Sequence, residues 1–185
     1  MKVLLLILSV LVQALVISST VIPDGLYHFT CKANKNVLDI ERASHIIQAN
    51  LIIFPLHGGT NQQFILTNIG QNYVTLIAKH SGQAITVREH CIGETTVEQD
   101  YLTPGNPYQE FKFIVTKDKH YLIQNKATGL YLNGDSHILS HVHNELGIMS
   151  AKACKDSHKF SISEVCQVAG PSVCDDNSLD ILCFN

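Results

Sequence analysis

The chain contains no tryptophan, and only 16% of its 185 residues are charged. The basic residues form no cluster or stripe, which excludes the electrostatic footprint of a nucleic-acid-binding surface. There is no Gly-x-Ser-x-Gly elbow, no His-Glu-x-x-His pair and no phosphate-cradling glycine loop. Asp39 and Glu41 lie two apart but have no neighbour that would split them into an acid and a base. We therefore expect no enzyme and no cofactor. No Asn-x-Ser/Thr sequon is present, so N-glycosylation is not expected. After residue 20 there is neither a long apolar run nor a stretch of helical periodicity.

The first 20 residues, MKVLLLILSVLVQALVISST, have one early charge, Lys2, then an apolar core, then small residues from Ser18. This is the build of a secretory signal peptide. A membrane anchor would need a longer run and flanking positive charge. Residues 21–185 then form the mature chain, expected to be secreted, extracellular and free of any membrane span. Lys2 leaves with the leader, so the net charge moves from −3 to −4. All six cysteines follow it: Cys31, Cys91, Cys154, Cys166, Cys174 and Cys183. An even count behind a secretion signal reads as disulfides, with 15 possible pairings. Their spacing is too wide for a zinc site. Four of the six fall in the last 32 residues, so a disulfide-stapled C-terminal tail is expected over 166–185.

The main signal is an internal repeat. KANKNVLDI from Lys32, KHSGQAITV from Lys79 and KATGLYLNG from Lys126 stand 47 residues apart. Each follows another apolar run: LYHFTC (26–31), YVTLIA (73–78) and HYLIQN (120–125). NQQFIL at 61–66 recurs as YQEFKFIV at 108–115, and a third copy, SHKFSI at 157–162, is shifted by two residues. Each unit carries about four short strands; in the first they are 26–31, 37–40, 50–54 and 63–67. Three such units predict an all-β chain folded as a β-trefoil, a six-stranded barrel capped by three hairpins, over residues 21–165. A propeller of three blades falls below the usual minimum of about four. Phe64, Phe111 and Phe160 are expected to meet in the core.

With QQF at 62–64, QEF at 109–111 and HKF at 158–160, and with NVLDI, GQAITV and GLYLNG as the matching strands, the chain resembles the ricin B-type β-trefoil lectins. The resemblance covers roughly residues 25–163. It implies a carbohydrate pocket in each intact unit, made from an Asp, an aromatic platform and an Asn–Gln pair. In the first unit these positions are Asp39, Phe54, Asn61 and Gln62. A carboxylate accepts hydroxyls strongly, an aromatic face takes the apolar side of a sugar ring, and amides both donate and accept. A polar residue two before the platform is usual, and here it is Ile52. The second unit has Thr86 in place of the Asp, with Gln99 and Tyr101 as polar residue and platform and Tyr108–Gln109 as the pair. The third has Asn133 and His158 and no evident platform. One working pocket at most is therefore expected, in the first unit, with glycans or glycoproteins as partners.

Two other readings remain. A β-trefoil also serves protease inhibitors and other protein ligands, and the many histidines and cysteines suit a structural coat protein. The ten histidines include His137, His141 and His143 in HILSHVH. An alternating strand would put His141 and His143 on one face, as a transition metal requires. The simpler reading is an exposed polar loop, and no metal is assigned there.

Overall fold

The computed structural model describes residues 21–89, 95–134, 144–145, 147–149 and 156–165. The leader, the C-terminal tail, HILSHVH and every cysteine except the buried Cys31 lie outside the described residues. Among the described residues are thirteen strands: β1 (Gly25–Cys31), β2 (Val37–Ile40), β3 (Leu51–Phe54), β4 (Phe64–Gly70), β5 (Tyr73–Ala78), β6 (Ala84–Glu89), β7 (Thr95–Asp100), β8 (Phe111–Val115), β9 (Tyr121–Asn125), β10 (Tyr131–Asn133), β11 (Asn144–Glu145), β12 (Gly147–Met149) and β13 (Phe160–Glu164). The strands expected in the first repeat agree to within a residue at every boundary except the end of β4, which runs on to Gly70.

Six strands close a ring. β1 pairs with β4, β4 with β5, β5 with β8, β8 with β9, β9 with β13, and β13 returns to β1, all antiparallel. Closure removes the free sheet edges that a soluble all-β chain must otherwise protect. The remaining long strands form three hairpins, β2–β3, β6–β7 and β10–β12. This is the β-trefoil that the repeat predicts. β4 shows the barrel pattern directly, since Phe64 and Leu66 are buried while the alternating Ile65 and Thr67 face out.

The period of 47 is written into the backbone as well. The turns after β1, β5 and β9 close with the same pair of bonds. Cys31 N–H donates to the Asn36 carbonyl (2.8 Å), Ala78 to Gln83 (2.9 Å) and Asn125 to Leu130 (2.9 Å). The second bond comes from a left-handed residue, Lys35, Gly82 or Gly129, with φ of 62°, 70° and 68°. Short 3-10 turns at Thr60–Gln62, Pro107–Gln109 and Asp156–His158 precede β4, β8 and β13. The last of them carries the two-residue shift.

Phe64, Phe111 and Phe160 are fully buried in one cluster with Phe29, Leu66, Leu76 and Ile123. They share that core without pairing ring to ring. The aromatic contacts run instead through Phe29, whose ring lies 6.0 Å from Phe64 and 5.7 Å from Phe113. Phe29 stands where the other two repeats carry Leu76 and Ile123, so an aromatic peculiar to the first repeat bridges the repeats.

Candidate functional site

The β2–β3 hairpin sets the geometry of the first unit. Asp39 stands opposite Ile52, and Val37 opposite Phe54. Side chains alternate along a strand, so Asp39 and Phe54 lie on one face. The 3-10 turn at Thr60–Gln62 then brings two amides up beneath the carboxylate. Asn61 Nδ2 donates to Asp39 Oδ1 at 2.9 Å, and Gln62 Nε2 donates to Oδ2 at 2.8 Å. The four residues singled out from the sequence are thus brought together, Phe54 by sharing the face and the other three by direct bonds.

Neither amide can reverse. Asn61 Nδ2 also donates to the Ile40 carbonyl, and Gln62 Nε2 to the Pro55 carbonyl. Gln62 Oε1 meanwhile accepts the backbone N–H groups of His57 (2.9 Å) and Gly58 (3.2 Å). Two fixed donors therefore face position 39, and only a side chain with two acceptor oxygens satisfies both. Asp39 is 2% exposed. Burial pushes its carboxyl above the ordinary carboxylate value, while the bonds from Gln62, His57 and Asn61 pull the other way.

His57 is the residue that the sequence reading missed. Its Nε2 lies 3.1 Å from Asp39 Oδ2, and its Nδ1 accepts the Gly59 N–H at 3.1 Å. That arrangement places the ring proton on Nε2, so the imidazole donates to the carboxylate. His57 also meets Phe54 edge to face, with centroids 5.9 Å apart. Gly59 allows this approach, because a Cβ there would stand 2.5 Å from Asn61 Oδ1 and 2.7 Å from His57 Cε1. The signal was the run His57-Gly58-Gly59 directly before the Asn–Gln pair. Its role depends on the turn geometry and not on spacing.

Above this buried floor Phe54 is 38% exposed. Ile52, at the position that is usually polar, is 2% exposed and closes the floor with carbon. A carboxylate has about four acceptor sites, and three are occupied. The partly exposed His57 covers Asp39 Oδ2, and displacing it frees an acceptor position for a ligand hydroxyl. An exposed aromatic face beside an oriented acceptor suits a small polyol with one apolar side.

The second unit keeps the framework and changes its contents. Gln109 Nε2 donates to Thr86 Oγ1 (3.0 Å) and to the Tyr101 carbonyl (2.8 Å), in the manner of Gln62. The pairing of β6 with β7 differs from that of β2 with β3, however. Thr86 faces Glu98, and Ala84 faces Asp100. Asp100 therefore stands where Phe54 stands, and Glu98 where Ile52 stands. This corrects the assignment of Gln99 and Tyr101. Gln99 points away and is buried in the seam between repeats, donating to the Ser44 and Ile46 carbonyls. Tyr101, 70% exposed, lies beyond the hairpin and is no platform. Glu98 and Asp100 are both engaged by Arg88. In the third unit Asn133 and His158 are both buried.

A family model described as "Ricin-type beta-trefoil lectin domain-like" matches residues 13–91, which take in the whole first repeat. No curated protein matches the chain. Among solved structures, the designed 3-fold symmetric protein ThreeFoil superposes with a TM-score of 0.66 at 26% identity, covering 75% of this chain and 98% of that one. The Rhizoctonia solani agglutinin gives 0.64 at 20% identity, covering 76% and 95%. The Macrolepiota procera ricin B-like lectin, solved in complex with lactose, gives 0.61 at 16%, covering 76% and 96%.

Proposed function

Starting from a β-trefoil that resembles the ricin-type lectins, we propose that the chain is a secreted carbohydrate-binding protein whose pocket is the first repeat. The observation that carries this reading is the oriented carboxylate of Asp39, held by Asn61, Gln62 and His57 beside the exposed ring of Phe54. The binding groups are in place before a ligand arrives, which lowers the ordering cost of binding. The second repeat offers Thr86 and an internally paired Arg88 at the matching place, so it contributes little. The reading is binding without catalysis.

A glycan array on the folded protein selects the sugar, and calorimetry then compares variants. Hydrogen bonds to charged groups contribute roughly 1.5–3 kcal/mol, so Asp39→Ala should weaken binding at least tenfold. Phe54→Ala removes a half-exposed ring without touching the buried framework, and it should weaken binding while leaving the melting temperature near wild type. Thr86→Ala should change little. Equal losses at positions 39 and 86 would remove the first repeat from its role. No binding by any form would favour a protein-binding trefoil, such as a protease inhibitor.

A further inference from the structure

The seam between the first and second repeats holds a second cluster, which takes no part in the Asp39 pocket. The β2–β3 connection brings His45 against His80, from the turn after β5, with ring centroids 5.1 Å apart and the planes at 60°. His80 Nε2 lies 2.9 Å from the Ser44 carbonyl, which can only accept, so that nitrogen carries the proton. His80 Nδ1 is then a bare lone pair, and it is buried with no hydrogen-bond partner. Gln83 shows the same condition. Its Nε2 donates to the His45 carbonyl at 2.6 Å, which fixes the amide, while its Oε1 is buried without a partner. Gln83 is 7% exposed. Two buried acceptors on the turn after β5 thus gather against a second imidazole on the β2–β3 connection. That loop is further held by Gln99, which donates to Ser44 and Ile46.

We propose that His45, His80 and Gln83 form a binding site for a borderline divalent transition-metal ion such as Zn²⁺ or Cu²⁺. An imidazole whose far nitrogen donates to a carbonyl is the usual form of a metal-ligating histidine, because that bond fixes the tautomer and the ring orientation. The spacing fits as well. Two imidazoles each bound at about 2.0–2.1 Å and a near-tetrahedral angle place their centroids about 5 Å apart. Two nitrogens and an amide oxygen leave a coordination position for water. Among the described residues no three His, Cys, Asp or Glu side chains form a metal group, so the amide completes the set. The ion would join a loop of the first repeat to a turn of the second.

The test titrates Zn²⁺ into the folded, full-length protein by calorimetry and reads Cu²⁺ by electron paramagnetic resonance. Wild type should show a site whose Cu²⁺ spectrum carries two imidazole nitrogens. Zn²⁺ should also raise its melting temperature. His45→Ala, whose side chain is exposed and whose loss leaves the backbone bonds of the loop intact, should weaken the site at least tenfold and abolish the thermal shift. His80→Ala should do the same. Replacing His137, His141 and His143 together by Asn should leave the site unchanged. Absence of a bound ion, a spectrum without two imidazoles, or equal affinity in His45→Ala would overturn the proposal.

Discussion

His28 shows at the residue scale how one buried ring ties the scaffold to the pocket. It lies on β1 with its Nδ1 2.8 Å from the carbonyl of Gln62, the residue that orients Asp39. Burial pushes its imidazole below the ordinary value. The Gln62 carbonyl acts in the opposite sense, and the charge of Lys79 adds to the depression. The unfolded chain binds a proton below about pH 6.5, whereas the folded chain binds it only at lower pH. Across that window the unfolded state holds more protons, so stability falls as the pH falls. Urea midpoints should therefore drop between pH 7 and pH 5. His28→Gln, which keeps a donor for Gln62 without titrating, should flatten that slope; an unchanged slope would exclude His28 as its source. Asp39 has the opposite sign. Its raised carboxyl pKa means that stability declines as pH rises just above the ordinary carboxylate range, so ionising the pocket costs the fold some stability. Asp39, Asn61 and Gln62 were legible in the sequence through the resemblance that NVLDI and QQF bear to the ricin B-type lectins. His57 and Gly59 were not, since their roles arise only when the 3-10 turn folds the segment back over Asp39.

The three equivalent turns after β1, β5 and β9 offer a controlled comparison among elements. Gly82 has φ of 70° and nothing within 4 Å of where a Cβ would stand. Gly82→Ala should thus cost about 1 kcal/mol through backbone strain alone, read as a shift in the denaturation midpoint at constant slope. Lys35 occupies the same left-handed position with a side chain. Lys35→Gly should stabilise by a comparable or smaller amount, because glycine relieves the strain but adds freedom to the unfolded chain. The repeat period was legible at this scale, and the hairpin registers were not. From Asp39 to Phe54 is 15 residues, and from Thr86 to Asp100 is 14. From Pro55 to Gln62 is 7, and from Tyr101 to Gln109 is 8. A shorter hairpin and a longer loop cancel, so the total stays at 47 and counting along the chain places Tyr101 one position too far on. The slip became visible only through hydrogen bonds, as it moves a charged residue onto the face where the first repeat carries an aromatic one.

Across the whole molecule, the barrel depends on a core that all three repeats share. Phe111 is fully buried there, and Phe111→Ala should cost about 3–5 kcal/mol in urea unfolding. A variant as stable as wild type would break the equivalence of the repeats. The cysteine pattern adds a separate expectation: mass spectrometry of the oxidised mature chain should find three disulfides and no free thiol, with at least one bridge inside 154–183. Six free thiols would refute it. The ring of strands carries one more consequence. β1 and β13 are neighbours in the barrel, with Tyr27 opposite Glu164 and the Val165 N–H bonded to the Leu26 carbonyl at 2.8 Å. The beginning and the end of the trefoil are therefore stitched side by side. Between β4 and β5, by contrast, the chain turns through Gly70, Gln71 and Asn72, all left-handed and exposed. Nothing in the closed ring distinguishes the seam where the chain happens to be cut from the tight turn where it happens to be continuous, so circular permutation, with residues 165 and 21 joined by a short linker and new termini opened at Gln71–Asn72, should return the same barrel with its Asp39 pocket undisturbed.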